Sequence, residues 1–176
     1  MAFMSVHQRC SDFLAPGSQN SVLFVGAERA DEFANALRMV VRGHEVTVVN
    51  PRRTTPARAF QRQSGRFVPL RIEQLPCKSG PFDAICENYP YPLRRYSGPA
   101  KRFAMARLQR LAPGGRWIVF TESQRFATAL KALADFDDDV ARDFTLRSSV
   151  VSARDAPPST YPPVNTRFRL IFQRRG

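Results

Sequence analysis

The sequence predicts a doubly wound α/β sheet, and three observations carry that prediction. Short apolar runs of strand length alternate with segments of helical periodicity, glycine or proline punctuates the junctions, and two alternating strands with no helix between them close the chain. Strands linked through helices imply parallel pairing with right-handed crossovers. With 176 residues, 43% of them hydrophobic, there is enough chain for one sizeable core and too little for two, so a single domain over 1–176 is expected.

The elements follow in order. Val6 to Leu14 is a short amphipathic lead and Pro16-Gly17 breaks it, so residues 1–20 read as a lead helix and linker. Ser21 to Gly26 is a compact apolar run ending in glycine, the pattern of a buried parallel strand. From Glu28 to Arg42, Ala30, Phe33, Leu37, Val40 and Val41 share one helical face, and Gly43 supplies a C-cap. Glu45 to Asn50 is β-branched and stops before Pro51. Arg66 to Ile72 reads as a third strand that Pro69 demotes to the sheet edge, and Phe82 to Glu87 as a fourth. Ala100, Phe103, Ala104, Leu108 and Leu111 line a second helix, which Ala112-Pro113-Gly114-Gly115 stops before a fifth strand, Arg116 to Thr121. Gln124 to Phe136 gathers Phe126, Ala127, Leu130, Leu133 and Ala134 into a third helix. The acidic run Asp135 to Asp139 is expected to be a solvated helix end, since carboxylates at a C-terminus oppose the dipole. Phe144 to Ser152 and Arg167 to Gln173 are the last two strands, separated by a proline-rich loop from Asp155 to Val164 that is too short for a linker between domains.

Charge and cysteine content bound the partners. Lys+Arg 27 against Asp+Glu 15 leaves a formal net charge of +12, which favours nucleic acid or an acidic protein surface. Only Lys78, Lys101 and Lys131 are lysines, so the basicity is arginine, whose planar fork suits phosphates and bases but whose abundance also follows genome composition. Cys10, Cys77 and Cys86 form no Cys-x-x-Cys pair and have no nearby His, which predicts no metal site and a reducing, cytoplasmic setting. Met1 to Leu14 lacks the apolar core of a signal peptide, and no run approaches the ~20 apolar residues of a membrane span, so a soluble protein with no membrane partner is expected.

The stretch Phe82-Asp83-Ala84-Ile85-Cys86-Glu87-Asn88-Tyr89-Pro90-Tyr91 delivers an amide, a proline and two aromatic rings to one strand end. Ligands of open α/β sheets bind outside the carboxyl ends of the strands. An asparagine carbonyl accepts hydrogen bonds from an amino group and tyrosine faces stack on planar groups, although Asn and Pro also form ordinary surface turns.

Taken in order, four segments resemble the class I S-adenosylmethionine-dependent methyltransferases. Val22-Leu23-Phe24-Val25-Gly26 is similar to the family's first strand and glycine, and Arg66 to Pro76, ending in Glu73-Gln74-Leu75-Pro76, to its third strand and following loop. Phe82-Asp83-Ala84-Ile85 resembles the fourth strand, and Leu111-Ala112-Pro113-Gly114-Gly115-Arg116 with Ile118-Val119-Phe120 the Leu-x-Pro-Gly-Gly turn and fifth strand. The terminal pair resembles the antiparallel sixth and seventh strands, so the resemblance implies a seven-stranded Rossmann-like sheet with an antiparallel last strand inserted between the fifth and sixth. The loop from Asp155 to Val164, with Tyr161, then falls on the sheet edge that carries Asn88.

The resemblance also implies S-adenosylmethionine as cofactor, held by Gly26, Ala27 and Glu28, with Asn50 near its ribose and Glu73 or Gln74 near its base. The loop departs from the family's pattern of an acidic residue followed by Gly-x-Gly-x-Gly, since this chain has Phe24, Gly26, Glu28 and Ala30; glycines there admit a ligand without a Cβ clash. Asn50 stands where an acidic residue usually accepts from the ribose hydroxyls. Asn88-Tyr89-Pro90-Tyr91 resembles the Asn-Pro-Pro-Tyr of amino-group methyltransferases with one mismatch. The amide oxygen of Asn88 and the carbonyl of Tyr89 would accept from the amine, and Tyr91 would stack on the substrate. Arg94, Arg95, Lys101 and Arg102 follow closely and would meet a polyanion across the cleft, against the blander reading of a solvated helix start.

Three functions emerge. The first is methyl transfer to an amino group of a nucleic acid or of a protein attached to one. The second is a non-catalytic domain of the same fold that binds nucleic acid or a partner protein. The third is an NADP-binding Rossmann protein, because Gly43-His44-Glu45-Val46-Thr47-Val48-Val49-Asn50-Pro51-Arg52-Arg53 resembles a ribose-phosphate segment; the Gly-x-Gly-x-x-Gly that should precede it is missing. His44 lies before a strand, away from the ligand edge, and His7 has no recognisable partner, so neither reads as a catalytic base.

Overall fold

The computed structural model describes residues 14, 19–63, 65–76, 78–90, 100–152, 156 and 166–176. Seven strands form one sheet: β1 (Ser21–Val25), β2 (Glu45–Val49), β3 (Arg66–Val68), β4 (Phe82–Asn88), β5 (Leu111–Thr121), β6 (Phe144–Val151) and β7 (Arg167–Arg174). Their spatial order is β3-β2-β1-β4-β5-β7-β6. The first five pair in parallel, and β7 runs antiparallel to both β5 and β6. The inserted antiparallel last strand expected from the sequence is therefore present. The short β3, followed by Pro69, lies at the sheet edge, where a residue without an N–H interrupts no ladder.

Helices cover both faces. On one, α1 (Ala30–Val41) and α2 (Thr55–Arg62) press Phe33 and Phe60 together at 5.6 Å between ring centres, over Val22, Phe24, Val46 and Val48. On the other, α3 (Ala100–Leu108) and α4 (Gln124–Phe136) bury Phe103, Leu108, Phe126 and Leu130 against Leu23, Ile85, Trp117 and Phe172. Trp117 stacks on Phe172 across the β5–β7 pair, 5.3 Å apart, so the antiparallel strand is held by an aromatic contact as well as its ladder.

Four local readings are corrected. α2 was not anticipated; Thr54 caps it, accepting from the Ala57 N–H at 3.3 Å, and Pro56 sits in its first turn, where a missing N–H costs nothing. β5 begins at Leu111, before the Pro-Gly-Gly turn: Phe82 faces Leu111 and Ala84 faces Arg116, so the turn is a bulge within the strand. A Cβ at Gly115 would lie 2.8 Å from the carbonyl oxygens of both Ala112 and Phe82, which explains the second glycine. The acidic run is exposed at Asp135, Asp138 and Asp139, as a solvated helix end should be, but it also starts an element that was not anticipated. Asp137 ends α4 and caps a further helix, α5 (Asp138–Asp143), whose first turn holds Asp138 and Asp139 where negative charge favours the dipole. Finally, Cys86 is disulfide-bonded, so it is not the free thiol on which the expectation of a reducing compartment partly rested. No helix among the described residues is long and apolar enough to cross a membrane.

Candidate active site

The strand order reverses between β1 and β4, and side chains beyond their carboxyl ends converge there. β1 runs into Gly26, whose φ of +75° is a left-handed conformation natural to glycine; a Cβ on it would meet nothing within 4 Å. Its N–H donates to the Val49 carbonyl at 2.8 Å, tying the turn to the end of β2. Asn50, 2% exposed, completes the tie: its Nδ2 donates to the Ala27 carbonyl at 2.9 Å and its Oδ1 accepts from the Arg52 N–H at 2.8 Å. Glu28 is exposed, with its carboxylate 4.0 Å from the Arg52 guanidinium.

The backbone N–H groups of Glu28 and Arg29, ahead of α1, donate to one oxygen of Glu32 at 2.9 and 3.0 Å. The other oxygen of Glu32 accepts from Nδ2 of Asn88 at 3.1 Å. Oδ1 of Asn88 is buried and, among the described residues, has no hydrogen-bond partner. Tyr89 follows at a φ of +46°, unusual for a bulky residue, while its N–H donates to the Phe120 carbonyl at 2.8 Å. The Arg167 guanidinium stands 5.7 Å from the Tyr89 ring centre, with its Nε 3.3 Å from the Glu122 carboxylate. Burial pushes the Tyr89 phenol above its ordinary range; the Arg167 charge opposes that rise and Glu122 adds to it. The shift favours the neutral phenol.

A buried ionic cluster supports this edge from the other face of the sheet. Arg107 on α3, 3% exposed, holds both oxygens of Glu87 at 2.8 and 2.9 Å, donates to Glu73 at 2.6 Å and to the Phe103 carbonyl at 3.0 Å. Burial disfavours the Arg107 charge, but its two carboxylates outweigh that and hold its pKa above the ordinary value. Burial likewise pushes the Glu73 carboxyl up, and Arg107 reverses the sign, leaving it below its ordinary value.

No family model matches this sequence, and no curated protein matches it. Solved structures do. The N-methyltransferase NodS from Bradyrhizobium japonicum WM9 aligns with a TM-score of 0.61 at 15% identity, over 97% of this chain and 95% of that one. The plantazolicin methyltransferase BpumL, in complex with S-adenosylhomocysteine, aligns with a TM-score of 0.67 at 9% identity, over 99% and 84%. The Burkholderia thailandensis 1,6-didemethyltoxoflavin-N1-methyltransferase, with that substrate and S-adenosylhomocysteine bound, aligns with a TM-score of 0.57 at 21% identity, over 90% and 72%. This chain has the class I S-adenosylmethionine-dependent methyltransferase fold.

Within the methyltransferase fold, Gly26, Ala27, Glu28 and Asn50 meet at the carboxyl ends of β1 and β2, and Asn88 and Tyr89 stand at the end of the adjacent β4. Glu73 and Gln74 lie on the turn Ile72–Gln74 after β3; Gln74 Oε1 accepts from the Arg71 N–H at 3.0 Å. Lys101 pairs with Asp137 at 2.6 Å and Asp139 at 3.8 Å at the α4–α5 junction. Arg102 is exposed, and Tyr91, Arg94, Arg95 and Tyr161 lie outside the described residues. The strand ends that flank the proline-rich loop do reach the Asn88 edge, since Thr121 faces Phe168 and Arg167 faces Val151.

Sequence reading missed Glu32, Glu87, Arg107, Glu122 and Arg167. Two carried a signal. Arg107 shares a helical face with Phe103, Ala104 and Leu108, and a charge on an apolar face needs a buried partner; Glu87 sits in an otherwise apolar strand. Glu32 has only the spacing of a helix-capping carboxylate, which says nothing of its reach to Asn88.

Proposed function

We propose that this protein is an S-adenosylmethionine-dependent methyltransferase acting on an amino group. The observation that carries the reading is the Asn88 amide, whose NH2 is committed to Glu32 while its oxygen, buried at the switch point of the sheet, has no partner among the described residues. The open turn at Gly26 supports the cofactor: its left-handed glycine leaves space beside the backbone, and the Gly26 to Ala27 turn would hold the group with Glu73 and Gln74 towards its base. Asn50 would serve by fixing that turn, since both its polar ends are engaged. When bound, the cofactor supplies an electrophilic methyl on a sulfonium. Asn88 Oδ1, with the Tyr89 carbonyl, would accept from the substrate N–H, placing the nitrogen lone pair for attack and stabilising the positive charge that grows on it. Tyr91 would stack on a planar substrate. The +12 charge supports a nucleic acid, or a protein attached to one, as the carrier of that amine.

A specific observation favours the rival, a non-catalytic domain of the same fold. The N–H groups of Glu28 and Arg29 already have a carboxylate partner in Glu32, so a ligand carboxylate aimed at them meets competition. Titration calorimetry with S-adenosylhomocysteine separates the two. Saturable binding that Gly26→Val removes supports the enzyme; no heat at millimolar ligand rejects it.

A further inference from the structure

We propose that Glu32 is a positioning residue: it couples the β1–α1 turn to Asn88 and fixes which end of the Asn88 amide is turned away from that turn. The use made of that amide rests on the reading above, whereas the coupling is a property of the free protein. Glu32 lies in the first turn of α1 and Asn88 ends β4, 56 residues further on. One carboxylate oxygen accepts from the Glu28 and Arg29 N–H groups, which is ordinary helix capping. The second oxygen does what capping does not require, accepting from Asn88 Nδ2 at 3.1 Å.

An ionised carboxylate only accepts hydrogen bonds, so Asn88 can satisfy it only with its NH2 end. The carbonyl end is thereby turned away, and there Oδ1 is buried with no partner among the described residues. Rotation of the amide would set two oxygens against each other across about the same gap and would turn a donor to the other side instead. A substrate amine, itself a donor, would be refused. Glu32 therefore decides the polarity of the site without touching the substrate, and it does so from the turn expected to hold the cofactor.

Replacing Glu32 by Gln tests this cleanly. Its Oε1 can still accept from the two backbone N–H groups, but its NH2 then confronts Asn88, and the pair is satisfied only when Asn88 presents Oδ1 to it. The side-chain NH2 of Asn88 is read by nitrogen-15 NMR of the whole chain, its signals identified by their absence in Asn88→Ser. In the native protein one of its protons should be shifted downfield and slow to exchange. In Glu32→Gln that shift and protection should be lost, while the thermal midpoint stays close to native. An unmoved resonance in Glu32→Gln overturns the proposal. Should that variant fail to fold, Glu32→Asp, a shorter carboxylate able to cap but not to reach Asn88, is expected to show the same loss, and an unmoved resonance there overturns it equally. S-adenosylhomocysteine titrated into the native protein tests the function separately: a coupled amide with no binding upholds Glu32 and rejects the methyltransferase reading.

Discussion

Asn88 and Gly26 set the terms at the scale of the residue. An amide oxygen buried without a partner costs about 1–3 kcal/mol, and the fold keeps one at its switch point. Asn88→Ala removes that oxygen together with the Nδ2 bond to Glu32, so the two effects offset and stability should change little; the variant should abolish methyl transfer measured with radiolabelled cofactor, and retention of activity would remove Asn88 from the site. Gly26→Val places a β-branched residue at a φ of +75°, which costs roughly 1–2 kcal/mol. No atom lies within 4 Å of the new Cβ in the free protein, so the variant should fold and lose S-adenosylhomocysteine affinity in calorimetry. Unchanged affinity would place the cofactor elsewhere. Such residue roles were only half legible. Asn88 and Gly26 sit at strand ends that the apolar runs marked plainly, whereas their supports, Glu32 and Arg107, are recognised by partners 56 and 20 residues away in the chain. Local spacing does not encode such partners.

Whole elements repeat the lesson in their junctions. The helices at Ala30–Val41 and Gln124–Phe136 were legible from their apolar spacing, although in the first the expected face was partly misplaced: Val41 and Ala30 are exposed, and Ala36 and Met39 are buried instead. The helix at Thr55–Arg62 was not, because only Ala57 and Phe60 are buried in it and its start signals, Thr54 and Pro56, also read as a turn. The α4–α5 corner turns on Asp137, which accepts from the Val140 N–H and receives Lys101. The Lys101 hydrogen bond lowers the Asp137 pKa below its ordinary value. Its charged form is thus favoured in the folded state, so the stabilisation is present above the ordinary carboxylate range and is lost as pH falls through the folded value. Asp137→Asn keeps a capping side chain and removes the charge. Its thermal midpoint should lie below native at neutral pH, and the gap should close in acid; a gap independent of pH would show that the Lys101 pair contributes nothing. Arg107 makes a stronger demand, since Glu87 is 4% exposed and has no solvent to replace its partner. Arg107→Met should destabilise by about 3–5 kcal/mol in urea titration. The depressed Glu73 pKa adds a sign: loss of native stability on acidification below the ordinary carboxylate range should be shallower in the variant.

Across the whole molecule, parallel pairing of the first strands was legible from the alternation of strand and helix, whereas the inserted antiparallel last strand was legible through the resemblance of the closing strand pair to a known family. The distribution of charge was not, because sequence adjacency groups Lys101 with Arg94 and Arg95 while the fold hands Lys101 to Asp137 and Asp139. This division makes a sharp prediction about the net charge of +12. If single-stranded RNA crosses the site, each phosphate neutralised contributes about 0.7 to the fall of log K with log salt. Arg94→Gln with Arg95→Gln should weaken binding to all sequences and flatten that slope by as many steps as phosphates are released. Tyr91→Ala should weaken binding with little change of slope, because stacking releases no counterions. Lys101→Gln should leave affinity and slope near native while lowering the thermal midpoint, its charge being spent on carboxylates within the fold. Fluorescence anisotropy at several salt concentrations measures all three. An unchanged slope in the double Gln variant would exclude a polyanion from the cleft and direct the search towards small-molecule or peptide amines; a slope that fell in Lys101→Gln would show that nucleic acid can take Lys101 from Asp137, and that the positive surface extends to the α4–α5 corner.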